Sequence, residues 1–263
     1  MNKFFAIAEN SFKDAIRQKI LLLFAFVAVL LTALSFYMSN IDLGEGKMRF
    51  IADFADGAAG FFGAIIAILV ICQSLYSEFD TKSVYMIISK PVSYAQFVFG
   101  KFIGAAFLIG VYLFIISLVS CAELLYAQES LKNIPAELLS GGKLQLNVCG
   151  LFAYFFAQWA KLCAVCAMAE LLAVLSKSLM FSMVMSFCAY AVCLLKGSVV
   201  SSGNVALKTA LAAFPDLSVF DISRNFLFGE INFGAVLFML GYSAIYIVVF
   251  GAISAYALSQ REF

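Results

Sequence analysis

The sequence predicts an all-α, polytopic integral membrane protein, and three observations carry that prediction. Of 263 residues 64% are hydrophobic, only 13% are charged, and the apolar residues gather into six runs of bilayer length. Soluble chains are about 45–50% apolar and about 25% charged, so a chain of this size with half the usual charge cannot cover its outside with polar side chains. A mean hydropathy of +1.00 agrees with a solvent that is mostly lipid.

The same composition excludes several functions. Lys+Arg at 17 against Asp+Glu at 16 leaves a formal charge of +1, which provides no field for gathering nucleic acid or anionic substrates. With no histidine there is no Ser-His or Cys-His nucleophile pair and no HExxH zinc site; aspartyl chemistry stays formally open, and no catalytic residue is assigned. The seven cysteines lie mostly inside apolar runs, and an odd number without secreted-domain spacing reads as free thiols rather than a disulfide framework.

A crossing helix needs about 20 apolar residues. Six stretches qualify: 20–38, 58–76, 97–125, 150–175, 179–195 and 235–258. Pro91, Pro135 and Pro215 all fall between them, as the missing proline N–H requires. Ahead of the first span, Phe4, Phe5, Ala8, Phe12 and Ile16 recur at helical spacing opposite Glu9, Asn10, Lys13, Asp14 and Arg17. This pattern predicts an amphipathic interfacial helix over residues 1–18, retained because it lacks the short apolar start and cleavage site of a signal peptide.

Orientation follows from the basic residues. With both termini on the cytoplasmic side, the inner segments carry Lys3, Lys13, Arg17, Lys19, Lys82, Lys90, Lys101, Lys177 and Arg261, denser than the outer set of Lys47, Arg49, Lys132, Lys143, Lys196, Lys208 and Arg224. The expectation is a multi-pass protein of a bacterial cytoplasmic (inner) membrane with both termini inside.

The segment 78–92, between spans two and three, has its own pattern. Val84, Ile87 and Ile88 follow the potential cap Asp80 at i, i+3, i+4 spacing, giving a short helix that stops before Pro91. Ser93 and Gln96 then form a capping box, with Val92 and Phe97 placed as a hydrophobic staple, so the third spanning helix starts outside the membrane. Such a helix is either a connector lying on the membrane or a docking element for a soluble partner.

Here the sequence resembles a family. Glu78, then Ser89-Lys90-Pro91-Val92-Ser93, then Gly100-Lys101-Phe102-Ile103-Gly104 resemble the signature of type-2 ABC exporter permeases, most closely the NosY-like branch of nitrous-oxide-reductase maturation and copper-processing permeases. Further similarity covers 12–19, 214–221 and 260–263; Tyr94 stands where that family commonly has an Arg. The resemblance implies a single permease domain over 1–263 that works as a homodimer. It also implies a coupling helix seated on a separate ATP-binding cassette subunit, present in two copies and binding the ATP and Mg. The docking residues would be Glu78, Phe79, Asp80, Thr81, Lys82, Val84, Tyr85, Ile88, Lys90 and Pro91. The chain has no Gly-x4-Gly-Lys-Ser/Thr, and Gly141-Gly142-Lys143 lacks both the upstream Gly and the following hydroxyl. No cofactor is assigned to it, and the ATPase is expected to be another polypeptide.

Polar residues within the spans are candidates for function. Lys161 lies near the middle of span four, where a lysine costs about 2.5–3.5 kcal/mol on insertion scales, and Gln158 is one turn away on its face. Either they form a polar strip on a translocation path or dimer seam, or Lys161 pairs inside the bundle for structural reasons. Glu170 is on the other side of that helix, about 13 Å along the axis, and could bridge Lys177 or an N-terminal base. Cys163, Cys166 and Glu170 share a face suited to Cu(I), but no second ligand cluster accompanies them and no metal is assigned. Met180, Met183 and Met185 read as packing, as do Gly100, Gly104 and the small run Gly57, Ala58, Ala59, Gly60 and Gly63.

The outer segment 197–234 is too polar to cross. Val205, Leu207, Leu211 and Phe214, then Leu217, Phe220 and Phe226, suggest two short surface helices around Pro215, serving as a lid, a seat for a periplasmic partner, or a plain connector. The sequence thus predicts the permease subunit of an ABC exporter, without an ATPase site of its own. The alternatives are an ATPase-coupled transducer that acts on a periplasmic partner without transport, and an ATPase-independent carrier.

Overall fold

The computed structural model describes residues 3–38, 47–80, 93–132, 147–176, 178–201 and 214–260. In chain order these form α1 (Lys3–Ile16), α2 (Lys19–Met38), α3 (Lys47–Asp80), α4 (Tyr94–Lys132), α5 (Val148–Leu175), α6 (Leu179–Ser201), a 3-10 helix (Leu217–Leu227) and α7 (Phe233–Gln260), with no strand among the described residues. Helices α2 to α7 are each long and apolar enough to cross a membrane. Hydrocarbon supplies no partner for backbone polar groups, so each crossing segment satisfies its own by helix formation.

Helices α3 and α5 form the centre. Ile66, Ile68, Ile71 and Leu75 of α3 and Leu162, Val165, Cys166 and Ala169 of α5 are buried in one continuous core. The outer helices α2 and α7 instead present Leu22, Leu23, Phe26 and Leu30, and Leu237, Phe238, Ile245 and Val248, to the surroundings. In water these rows would be an aggregation hazard; against lipid they are the expected surface.

The spans fall on the predicted apolar runs, α4 and α6 run on past the predicted ends at 125 and 195, and the largest difference is at the start of α3. Helix α3 begins at Lys47, well ahead of Ala58, and so includes Arg49, Asp53 and Asp56. The polar first turns stay helical because Asp56 finds partners on two other elements rather than in solvent. At the opposite end of the bundle, which we call the loop end because segment 81–92 joins α3 to α4 there, the predicted capping box is present. Ser93 N donates to Gln96 Oε1 and Gln96 N to Ser93 Oγ, both at 3.3 Å. The predicted short helix and staple residue Val92 lie outside the described residues, together with Thr81, Lys82, Val84, Tyr85, Ile88, Lys90 and Pro91.

Helix α1 seats on α4. Ala8, Ser11 and Ala15 are buried, and Phe12 meets Phe107 edge-on with ring centroids 5.0 Å apart. The close approach requires Gly104: a Cβ there would stand 2.7 Å from both the Ala8 carbonyl oxygen and Ser11 Cβ. Gly100 is buried in the same helix. Phe5 and Ile16 stay exposed, as do Glu9 and Lys13, which pair at 2.6 Å on the other side. Half of the predicted apolar face therefore packs on protein and half looks outward.

The segment before α7 differs from the predicted pair of surface helices. Its described part is one 3-10 helix, capped by Asp216 and with Leu217, Phe220, Phe226 and Leu227 buried. Residues 202–213, with Val205, Leu207 and Leu211, lie outside the described residues. Phe220 packs against Ala157 and Ala160 of α5 and Met239 of α7, and Ala160 is about 18 Å down α5 from its first residue. The segment therefore runs along α5 rather than over the bundle. Small residues make the trough: a Cβ on Gly150 would collide with the Phe226 carbonyl. Asn147 completes the attachment, its backbone N donating to Leu227 O at 3.1 Å and its side-chain amide to Gly229 O at 3.2 Å.

Candidate functional site

Two polar clusters are buried in the bundle, one at each end. The far cluster is built on α3 and α5 and closed by the 3-10 helix. Tyr154 and Gln158 are one turn apart on α5 and face α3: the Tyr154 hydroxyl and the Gln158 amide, the latter at 2.9 Å, both donate to Asp56 Oδ1. The guanidinium of Arg224 pairs with Asp56 Oδ2 and reaches Asp53 at 3.9 Å. Asp56 is mostly buried whereas the Arg224 side chain is half exposed, so one partner keeps access to water. Lys161 lies one turn beyond Gln158, buried, within electrostatic reach of Asp56, Asp221 and Arg224.

The loop-end cluster joins α3, α4 and α5. Lys101 of α4 is 1% exposed; its ammonium pairs with Glu78 and donates to Ser74 O at 3.2 Å and Ser74 Oγ at 3.0 Å. The Phe97 ring lies 5.9 Å away, close enough for a cation–π contribution. Glu170 of α5 is buried in the same neighbourhood, and the charge acting on it is that of Lys101. A second bond ties these elements together, from the Tyr76 hydroxyl to Ser176 O just past the end of α5, at 2.9 Å. Tyr76 also meets Phe79 edge-on at 5.7 Å. Glu78, Phe79 and Asp80 thus form the last turn of α3, the first two partly buried.

The structure divides the residues singled out in the spans. Gln158 and Lys161 belong to the far cluster and face α3 and the 3-10 helix, while Glu170 belongs to the loop-end cluster. The charge that reaches Glu170 is that of Lys101 of α4, with which it forms no ion pair among the described residues, and Lys177 lies outside them. Sequence reasoning missed Asp56 and Tyr154 as partners of Gln158, Arg224 as the cation on Asp56, and Lys101 as the centre of the other cluster. Asp56 borders an apolar run and has no other signal, whereas Lys101 interrupts one and also stands in the motif at 100–104; their partners come from elements distant in sequence.

The seven cysteines are free thiols. Among the described residues no three Cys, Asp or Glu side chains are grouped so as to hold a metal ion; Cys163, Cys166 and Glu170 are not joined by a further ligand. Among the described residues the two clusters are held by ion pairs and hydrogen bonds between elements.

The family model described as "ABC-2 family transporter protein" matches residues 5–263, nearly the whole chain. The chain belongs to the ABC-2 transporter family. As an ABC-2 protein it is a membrane permease component of an ABC transporter, and the six spanning helices make it a multi-pass membrane protein. A comparison with curated proteins finds no match. Within this ABC-2 chain both charged clusters use α3 and α5, the two most enclosed helices, and they sit at opposite ends of them.

Proposed function

We propose that the chain is the membrane-spanning subunit of an ABC exporter that couples ATP hydrolysis in a separate subunit to movement of a substrate across or out of the membrane. Two copies pair and engage two ATP-binding subunits, which hold the ATP and Mg. Segment 78–92 is the docking loop on the cytoplasmic side, with both termini on that side in a bacterial inner membrane. Residues 1–18 lie in the interface, and 197–234 belong to the extracytoplasmic side. The NosY-like branch is the subfamily the motif residues favour.

One observation carries the coupling role: the two helices that flank the docking loop are tied to each other by the Lys101–Glu78 pair. A push on the loop is then transmitted into α3 and α4 together instead of being absorbed by loose ends. Gln158 and Lys161 are proposed to border the path at the far end, and Glu170 at the loop end.

The test is reconstitution. Co-expression with a candidate ATP-binding cassette subunit and gentle detergent extraction should recover a complex of equal numbers of the two chains. In proteoliposomes that complex should move substrate only with hydrolysable ATP. Coupled ATP turnover with no flux of any tested substrate would favour the non-transporting transducer, and flux without the ATP-binding subunit would refute both.

A further inference from the structure

Glu170 is 1% exposed, forms no ion pair among the described residues, and has an Oε1 that accepts no hydrogen bond. A carboxylate withdrawn from water needs a counter-charge or several donors. The cation that acts on it, Lys101, is equally buried and is engaged by Glu78 and Ser74. One ammonium is therefore within electrostatic reach of two carboxylates on different helices and is paired with only one of them.

The levels along the bundle agree. Cys72 of α3 meets Ser182 of α6 at 3.3 Å, and Cys166, one turn before Glu170, lies within electrostatic reach of Cys72. Further towards the loop end, Tyr76 bonds to Ser176. Along α5, Glu170 falls between Cys166 and Ser176, and along α3 Ser74 falls between Cys72 and Tyr76. The two carboxylates differ in attachment: Glu78 is on the last turn of α3, immediately before segment 81–92, whereas Glu170 is enclosed by packed side chains well inside α5.

We propose that Lys101 is a coupling residue with two partners: displacement of the segment after α3 draws Glu78 away from its ammonium, which then pairs with Glu170 and carries the movement from α4 into α5. No bond is made or broken, and the total charge of the three groups is the same in both arrangements. The exchange gives a two-state element biased from outside the membrane, as coupling over a distance requires. It rests on the proposed ATP-driven docking loop, since a partner that moves residues 81–92 is what drives it.

The experiment uses the complete complex in lipid nanodiscs. Spin labels at Ala95→Cys and Leu175→Cys, exposed positions at the loop ends of α4 and α5, report their separation in a background with the seven native cysteines replaced. The separation is measured by pulsed electron resonance without nucleotide and with ATP plus vanadate. The parent should shift between two distances. Glu170→Gln should stay at the nucleotide-free distance in ATP plus vanadate, while Glu78→Gln should already show the ATP distance without nucleotide. Opposite responses separate an exchange from a structural role, which would move both variants alike.

A parent-like shift in Glu170→Gln, or the same response from both variants in an assembled complex, overturns the proposal and leaves the exporter reading intact. Failure of the parent to assemble with any ATP-binding subunit overturns both.

Discussion

The two ends of the bundle solve the same problem, charge between lipid-embedded helices, in different ways. At the far end the carboxylate Asp56 is surrounded: Arg224, Tyr154 and Gln158 all contribute, and the cation remains half in water. At the loop end the cation is surrounded, with Lys101 facing Glu78 and the Ser74 hydroxyl and carbonyl, and with Glu170 waiting beyond. The far cluster closes on a short 3-10 segment that is anchored at Asn147 and Gly150. The loop-end cluster closes on helix termini that lead into segment 81–92. The contrast teaches that several donors on one carboxylate hold an element in place, whereas a cation with a second carboxylate within electrostatic reach has an alternative open to it.

Three substitutions sharpen the contrast. Lys101→Met should have the largest effect, because it removes a buried cation that pairs with Glu78 and whose charge reaches the buried Glu170; removing one member of a buried pair costs about 3–5 kcal/mol. Thermal unfolding in detergent should show the steepest fall of the three, and a parent-like midpoint would mean the pair is solvated. Asp56→Asn should cost about 1.5–3 kcal/mol, the range for hydrogen bonds to a charged group, because Arg224 can return to water. Hydrogen exchange should accelerate over residues 217–227 and not at the loop end; exchange that spreads to both ends would contradict two independent clusters. Gly104→Leu acts at neither cluster, and overpacking against Ala8 and Ser11 should cost about 1–3 kcal/mol. Limited proteolysis should then release α1 while the complex with the ATP-binding subunit still assembles, and transport should be lost. An α1 as protected as in the parent would show that the seat on α4 tolerates bulk.

How much of this was legible depended on whether the partner was local. Length of apolar run was enough to read the six spans, because hydrocarbon allows a crossing chain no other local solution. The start of α4 was legible for the same reason, since Ser93 and Gln96 satisfy each other three residues apart. The start of α3 was not, because Asp53 and Asp56 look like the end of a span until Arg224, 168 residues beyond Asp56, is brought beside them. Nor was the 3-10 helix: Leu217, Phe220 and Phe226 read as one side of a surface helix, while the trough that receives them is made by Gly150, Ala157 and Ala160 on α5. Lys161 and Glu170 were recognisable as costly residues, but which clusters they belong to depends on packing. Seven of the ten predicted docking positions lie outside the described residues, so that part of the site stands on motif alone.

Cross-linking tests that part most directly. Single cysteines placed at Lys82 or Tyr85, in membranes that also contain the ATP-binding subunit, should react with a short bifunctional reagent to give one adduct of permease and ATPase, and should be blocked by a thiol reagent only from the cytoplasmic side. A folded, membrane-inserted protein that yields no adduct and is blocked from outside the cell would contradict the account.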